Sequence, residues 1–327
     1  MRIARTVTAL VGSIACIAGL SVPAVATAEP GSFDLQAHRG GRGETTEESL
    51  RAFAKAIEIG VTTLELDIVI SKDGQPVVWH DPVIQADKCT DTAPATPGDP
   101  QFPYVGKQVN QLTLQQLRTL DCGKLLAAYP DAEVVDDNRI ATLPEVFALA
   151  DSYRAPVRYN IETKVEADNP EKSAPPQQFV DVILAAVRAA GKTDLVEIQS
   201  FDWRTLPMVR TAEPSIPLVA LWDDTTFTPG SPWLNGIDPR VIPDPIEAAT
   251  MVGANVLSPA YELSDATLVD RAHAQGLKVI PWTVNDEAAM RAQIAAGVDG
   301  LITDYPTRLR AVMADLDMTL PPAYRRS

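Results

Sequence analysis

The chain has 327 residues, of which 46% are hydrophobic and 22% charged, a balance that supports a sizeable core and excludes a disordered polypeptide. Its formal net charge is −15 and no Lys/Arg run interrupts it, which argues against a nucleic-acid partner. So acidic a protein repels phosphates, and any anion site on it must carry its own cations, from Arg, Lys or a metal ion.

Residues 1–28 read as an export signal. Arg2 and Arg5 precede an apolar run from Val7 to Leu20, too short for a comfortable membrane span, and Ala26-Thr27-Ala28 offers a small-residue cleavage point. The competing reading is a single N-terminal anchor. Cleavage leaves residues 29–327 as one domain, secreted or held in the cell envelope, with no stable membrane span. It also removes Cys16 and leaves Cys89 and Cys122. An even pair in an oxidising compartment suggests a disulfide, which would stabilise the fold by roughly 3–4 kcal/mol. Two free buried thiols are the alternative.

Short apolar strands then alternate with helical stretches. Phe33 to His38 reads as a strand, Glu47 to Ile59 as a helix with Leu50, Phe53, Ala54 and Ile57 on one face and Gly60 at its end, and Thr63 to Ile70 as the next strand. Val77–His80 follows after only Ser71-Lys72-Asp73-Gly74 and an adjoining residue pair, so it must return antiparallel as a hairpin, because parallel neighbours need a crossover of a dozen or more residues. Residues from about 82 to 138, rich in Pro, Asp, Thr and Gln, fit no βα unit and read as an insertion with one short helix near Leu114–Leu120. Further strands are expected at Val157–Glu162, Leu195–Ser200, Pro217–Trp222, Ala254–Ser258, Lys278–Thr283 and Gly300–Thr303, with helices such as Pro176–Ala190, Asp265–Gln275 and Glu287–Ala296 between them. With the hairpin strand set aside, the parallel strands number those of an α/β (β/α)₈ TIM barrel carrying a small inserted segment after a β-hairpin. A doubly wound open sheet is the alternative, weakened by the lack of a Gly-rich dinucleotide fingerprint.

In such a barrel chemistry sits at the C-terminal ends of the strands. Glu65 and Asp67 are two apart and point to one side of their strand; with Glu162 they make three carboxylates that need a cation, and oxygen-only ligands favour Ca²⁺ or Mg²⁺. His38 and His80 are then free for proton transfer, as cleavage of a phosphodiester with a poor alkoxide leaving group requires. Arg39 beside His38 and Lys164 beside Glu162 are candidates for the phosphate oxygens, although Lys164 also fits a simple pairing with Glu162. His273 lies on a helical stretch and reads as surface or packing.

His38-Arg39-Gly40, Glu47-Glu48-Ser49-Leu50, Glu65-Leu66-Asp67, Lys72-Asp73-Gly74 and His80-Asp81 together resemble the pattern of the glycerophosphodiester phosphodiesterase family. The resemblance continues through Thr142-Leu143-Pro144-Glu145, Glu162-Thr163-Lys164, Ser200-Phe201, Pro281-Trp282-Thr283-Val284-Asn285 and Thr303-Asp304-Tyr305-Pro306, in order along nearly the whole mature chain. It implies a metal-dependent hydrolase acting on small glycerophosphodiesters to release glycerol 3-phosphate and an alcohol. It implies Glu65, Asp67 and Glu162 as ligands of Ca²⁺ or Mg²⁺, His38 and His80 as the acid–base pair, and Arg39 and Lys164 as phosphate contacts. Glu47 would line the site near the metal, and Phe201 and Trp282 would wall the alcohol or glycerol pocket. The family pattern Pro-Glu-Asn-Thr is replaced here by Thr46-Glu47-Glu48-Ser49, which bears on substrate preference. A phospholipase D-like lyase acting on lysophospholipids or sphingolipids is the second enzymatic reading. An idle binding protein on the same scaffold is the third. No protein partner is implied.

Overall fold

A computed structural model describes residues 32–326; the expected export signal, Cys16 included, lies outside the described residues. The chain starts with β1 (Asp34–Ala37) and α1 (Leu50–Ile59). Ser49 caps α1 by accepting from the Ala52 N–H, and Gly60 closes it with φ 92°, a left-handed conformation that suits glycine. The eight-residue β2 (Thr63–Ile70) turns back as β3 (Pro76–Val78), which pairs with it antiparallel. The inserted segment contributes β4 (Thr90–Asp91), α2 (Leu114–Leu117) and β5 (Leu120–Asp121). There follow α3 (Leu143–Ser152), β6 (Arg158–Thr163), α4 (Pro176–Ala189), β7 (Val196–Ser200), α5 (Thr205–Ala212) and β8 (Leu218–Trp222). The last units are α6 (Pro245–Met251), β9 (Val256–Pro259), α7 (Ala266–Ala274), β10 (Lys278–Val279), α8 (Glu287–Ala295), β11 (Gly300–Thr303) and α9 (Pro306–Asp315).

Eight strands run parallel in the order β10-β9-β8-β7-β6-β2-β1-β11, with β3 as a side branch of β2. No regular ladder joins β10 to β11, but three backbone hydrogen bonds bring that seam together: Asp299 N–H to Val279 O at 2.9 Å, Ile302 N–H to Pro281 O at 3.1 Å and Val284 N–H to Ile302 O at 2.9 Å. The chain is thus a nearly closed (β/α)₈ barrel, as the strand spacing predicts. β10 is shorter than the expected Lys278–Thr283, because Pro259 of the facing β9 has no N–H to give the Ile280 carbonyl, which accepts from the Ser258 hydroxyl instead at 2.6 Å. α2 likewise stops at Leu117, before the expected Leu120.

Side chains alternate across each strand. Leu35, Ala37, Leu64, Leu66, Tyr159, Ile161, Ile198 and Leu301 belong to the main core, together with buried residues of the surrounding helices. The alternate residues fill the lumen. On β1, β2, β6 and β7 these are polar: Asp34, Gln36, Thr63, Glu65, Asp67, Arg158, Asn160, Glu162, Glu197 and Gln199. On β8 and β9, just beyond β10, and on β11 they form an apolar cluster of Val219, Val256, Ile280 and Ile302, with Trp282 against it. The inserted segment has a separate core in which Tyr104, Val109, Leu112, Leu117 and Leu120 pack with Val77 and Trp79 of the hairpin. Cys89 and Cys122 are joined there in a disulfide. Among the described residues no helix is long and apolar enough to cross a membrane.

Candidate active site

β1 delivers His38 directly after its last residue, and the chain then makes a tight turn through Arg39 (φ 52°) and Gly40 (φ 80°). A Cβ at Gly40 would stand 2.8 Å from that of Ala52 on α1, so the turn needs glycine there on steric grounds as well as for its φ. The turn points the Arg39 N–H at Glu65, which accepts it at 2.8 Å. β11 lies beside β1, with Ala37 opposite Thr303, and so places Asp304 next to His38. The His38 Nδ1–Asp304 Oδ1 distance is 2.6 Å. Asp304 also accepts from Asn285 at 2.7 Å and from the Tyr129 hydroxyl at 2.8 Å. Burial would raise its carboxyl, but His38, Arg42 and Tyr129 hold it down at about 2. An ionised aspartate on Nδ1 makes that nitrogen the donor, which leaves Nε2 of His38 as the free ring nitrogen.

His80, at the end of the hairpin, is held alike, with Nδ1 3.0 Å from Asp81 Oδ1. Burial first, then the cations of Lys164 and Arg39, lowers its pKa to about 4. Burial also lowers His38, against the pull of Asp304.

β2 pairs with β6 so that Asp67 lies opposite Glu162. Oxygens of Glu65, Asp67 and Glu162 fall within 4.8 Å of one another, all three residues being buried. Burial and the neighbouring Asp67 charge push Glu65 well above the carboxylate range; burial raises Glu162 to about 8, Asp67 adding to the rise against Lys164. Burial works on Asp67 in the same sense, but Lys164, His80 and Arg39 outweigh it and keep this carboxyl well below its ordinary value. The second Asp67 oxygen, buried without a well-aligned hydrogen bond, pairs with Arg39 Nε at 3.2 Å. Three carboxylates that cannot all ionise without added positive charge, with no sulfur or imidazole among them, fit a hard divalent ion. Lys164 meets Glu162 at 2.8 Å and Asp67 at 3.8 Å, so the pairing anticipated for it is present.

Below the carboxylates a ladder of amides runs down the lumen. Gln199 donates to Glu65 at 2.6 Å, Asn160 to Gln199 at 2.9 Å and to Gln36 at 2.8 Å, and Gln36 to Glu197 at 3.0 Å. It fixes the rotamer of Glu65 from beneath.

A cavity of about 760 Å³, counted with its open mouth, joins these groups. His38, Arg39, Glu65, His80, Glu162, Phe201, Trp282 and Asp304 line it. Phe201 and Trp282 meet edge to face, with centroids 5.2 Å apart, and form its apolar wall. Glu47 lies aside, beyond Arg39, where it is paired with Lys88 at 2.6 Å, Arg42 at 2.8 Å and Arg39 at 3.6 Å. Glu48, at φ 54°, accepts from the Asp67 N–H at 3.0 Å, and burial followed by the Asp67 charge raises its carboxyl well above the usual range. His273 is 41% exposed and pairs with Asp299, as its place on a surface helix implies. Sequence reasoning overlooked Tyr129 and Lys88, which come from the insertion and carry no local motif. Asp304 was legible only as a member of the Thr303-Asp304-Tyr305-Pro306 match, with no role attached to it.

The model of the glycerophosphoryl diester phosphodiesterase family matches residues 38–308. The chain belongs to that family. It is 28% identical over 273 residues to a glycerophosphodiester phosphodiesterase of Caldanaerobacter subterraneus, covering 84% of this chain and 94% of the relative. The human lysophospholipase D GDPD1 is 27% identical over 295 residues, 84% of this chain and 83% of its own. Among solved structures, a Silicibacter pomeroyi protein given the same family description superposes with a TM-score of 0.76 at 27% identity, covering 89% of this chain and 96% of its own. The family member described here is thus an enzyme, a phosphodiesterase acting on glycerophosphodiesters.

Proposed function

We propose that this enzyme hydrolyses small glycerophosphodiesters to glycerol 3-phosphate and an alcohol by paired histidine catalysis at the barrel mouth. The observation that carries the reading is the matched fixing of two imidazoles: each is tied through Nδ1 to an aspartate, and both line the cavity that holds the carboxylate cluster. Glu65, Asp67 and Glu162 would hold Ca²⁺ or Mg²⁺, which when bound supplies positive charge for the phosphate oxygens. Arg39 and Lys164 add charge from the protein itself. One Nε2 takes the proton of the attacking oxygen, from water or from the glycerol 2-hydroxyl, as the new P–O bond forms. The other ring, in its imidazolium form with the Nδ1 proton directed at its aspartate, gives its Nε2 proton to the departing alkoxide as the old P–O bond breaks. With the 2-hydroxyl as nucleophile a cyclic phosphate forms first, and water opens it in a second such exchange. Phe201 and Trp282 pack the alcohol or glycerol carbons.

The test is turnover of glycerophosphocholine with Ca²⁺ or Mg²⁺, products identified by mass. We expect EDTA to abolish it, and His38→Ala and His80→Ala each to lower kcat by about 10²–10⁴-fold. Full activity in both variants would overturn the reading. The apolar cavity wall and the human relative's name support a second, lysophospholipase D-like reading, which lysophosphatidylcholine in the same assay would decide. The N-terminal charge and apolar pattern, with a disulfide at Cys89 and Cys122, supports export from the cytoplasm as the setting.

A further inference from the structure

We propose that the inserted segment completes the catalytic apparatus: Lys88 and Tyr129 are positioning residues, one for each histidine–aspartate pair. The inference rests on the acid–base roles given above to His38 and His80.

Asp81 receives His80 Nδ1 on one oxygen, and Lys88 Nζ on the other at 2.6 Å. Among the described residues these are its only hydrogen-bonding partners, so Lys88 alone fixes the carboxylate that orients the ring. Lys88 is itself held in place, bonded to Glu47 at 2.6 Å and lying 5.4 Å from the Trp79 ring centroid. Its side chain is 10% exposed, where a lysine stays only if paired. Tyr129 repeats the arrangement on the other side. Its hydroxyl donates to the Asp304 oxygen that His38 does not use, at 2.8 Å. Asn285 shares that oxygen at 2.7 Å, so Asp304 keeps a partner from the barrel if Tyr129 is lost.

Both residues come from one covalently clamped body. The disulfide joins Cys89, next to Lys88, to Cys122, seven residues before Tyr129. Lys124 Nζ then donates to the Ala86 carbonyl at 2.7 Å and ties the same two stretches again. A loop that served substrate choice alone would have no need to reach the far oxygens of both aspartates. Outer partners of this kind change activity by about 10–100-fold when removed, through the group they orient.

The experiment is a pair of double-mutant cycles on the full mature chain, with glycerophosphocholine and saturating Ca²⁺. We expect Lys88→Met to lower kcat by about 10–100-fold and Tyr129→Phe by about 3–10-fold, with KM within threefold in both. Lys88→Arg, which keeps a cation between the two carboxylates, should recover most of kcat. In a His80→Ala background the Lys88→Met effect should shrink below about twofold, while in His38→Ala it should persist in full; Tyr129→Phe should show the reverse. Wild-type kcat in folded Lys88→Met and Tyr129→Phe, or losses confined to KM, would overturn the proposal. So would an undiminished Lys88→Met loss in His80→Ala, which would place its action on Glu47 or the fold. If Lys88→Met does not fold, Lys88→Gln takes its place in both cycles. Should His38→Ala and His80→Ala themselves stay fully active, the acid–base reading falls; should they be inactive while the insertion variants are not, only the present inference falls.

Discussion

Strands β1, β2, β6 and β7 and strands β8 to β11 contribute equally to one barrel, yet they fill its lumen with opposite chemistry. The first group lines it with carboxylates and amides bonded in series from Asp34 to Glu65. The second group lines it with Val219, Val256, Ile280 and Ile302. Buried polar groups cost free energy where they lack a partner, as the Asn160 Oδ1 does here, and the bonded remainder of the ladder is stiff in return. The apolar side supplies the burial that lets the fold tolerate the polar one. The active site draws on both groups: Asp304 follows β11 and Phe201 follows β7, and Phe201 packs with Trp282 as the apolar wall of the cavity.

That division can be broken or sharpened by substitution. The largest effect on stability is expected from the apolar half: Ile280→Ala should cost about 2–5 kcal/mol in urea unfolding while leaving kcat within twofold below the unfolding temperature. A matching loss of activity would show that the apolar side also shapes the chemistry. On the polar side, burial followed by the Asp34 charge, against Arg158, raises Glu197 from 4.5 to about 7. The folded state therefore binds the extra proton between these values, and the contribution of Glu197 to stability falls as pH rises from about 4.5 to about 7. Wild type should lose up to about 3 kcal/mol more than Glu197→Gln across that window, at 1.36 kcal/mol per pH unit. Parallel stability–pH curves would sink this expectation.

Next, Gln199→Leu removes the donor that steadies Glu65, and should weaken Ca²⁺ or Mg²⁺ binding by about 10–100-fold in calorimetric titration with little change in unfolding temperature. Unaltered metal affinity would mean that Glu65 is held well enough by the Arg39 N–H. The smallest effect belongs to the apolar wall: Trp282→Leu breaks the edge-to-face pair, worth about 0.5–1.5 kcal/mol, and should raise KM severalfold at constant kcat. A fall in kcat instead would place Trp282 at the reacting centre.

Much of this was legible before any coordinates. The period-two pattern of Thr63–Ile70 marked Glu65 and Asp67 as sharing a side, and the short turn to Val77 demanded a hairpin. The insertion was recognisable as polar sequence lying outside any βα unit. Its contribution to the site was not, because Lys88 and Tyr129 sit in no motif and meet Asp81 and Asp304 only through tertiary packing. Glu47 shows the opposite case. The resemblance put it beside the metal, whereas the folded chain surrounds it with Arg39, Arg42 and Lys88.

By itself the sequence determined which residue types could do acid–base and metal chemistry, and that alternating strands and helices would bring them to one end of a barrel. Those features are local: they depend on spacing along a strand, turn length and the steric freedom of Gly40. Only the tertiary structure decided that Asp304 serves His38, how the amide ladder buttresses Glu65, and that the insertion reaches back to both pairs. Such contacts join residues up to 266 positions apart, and strand order and packing create them without leaving any periodic trace in the chain.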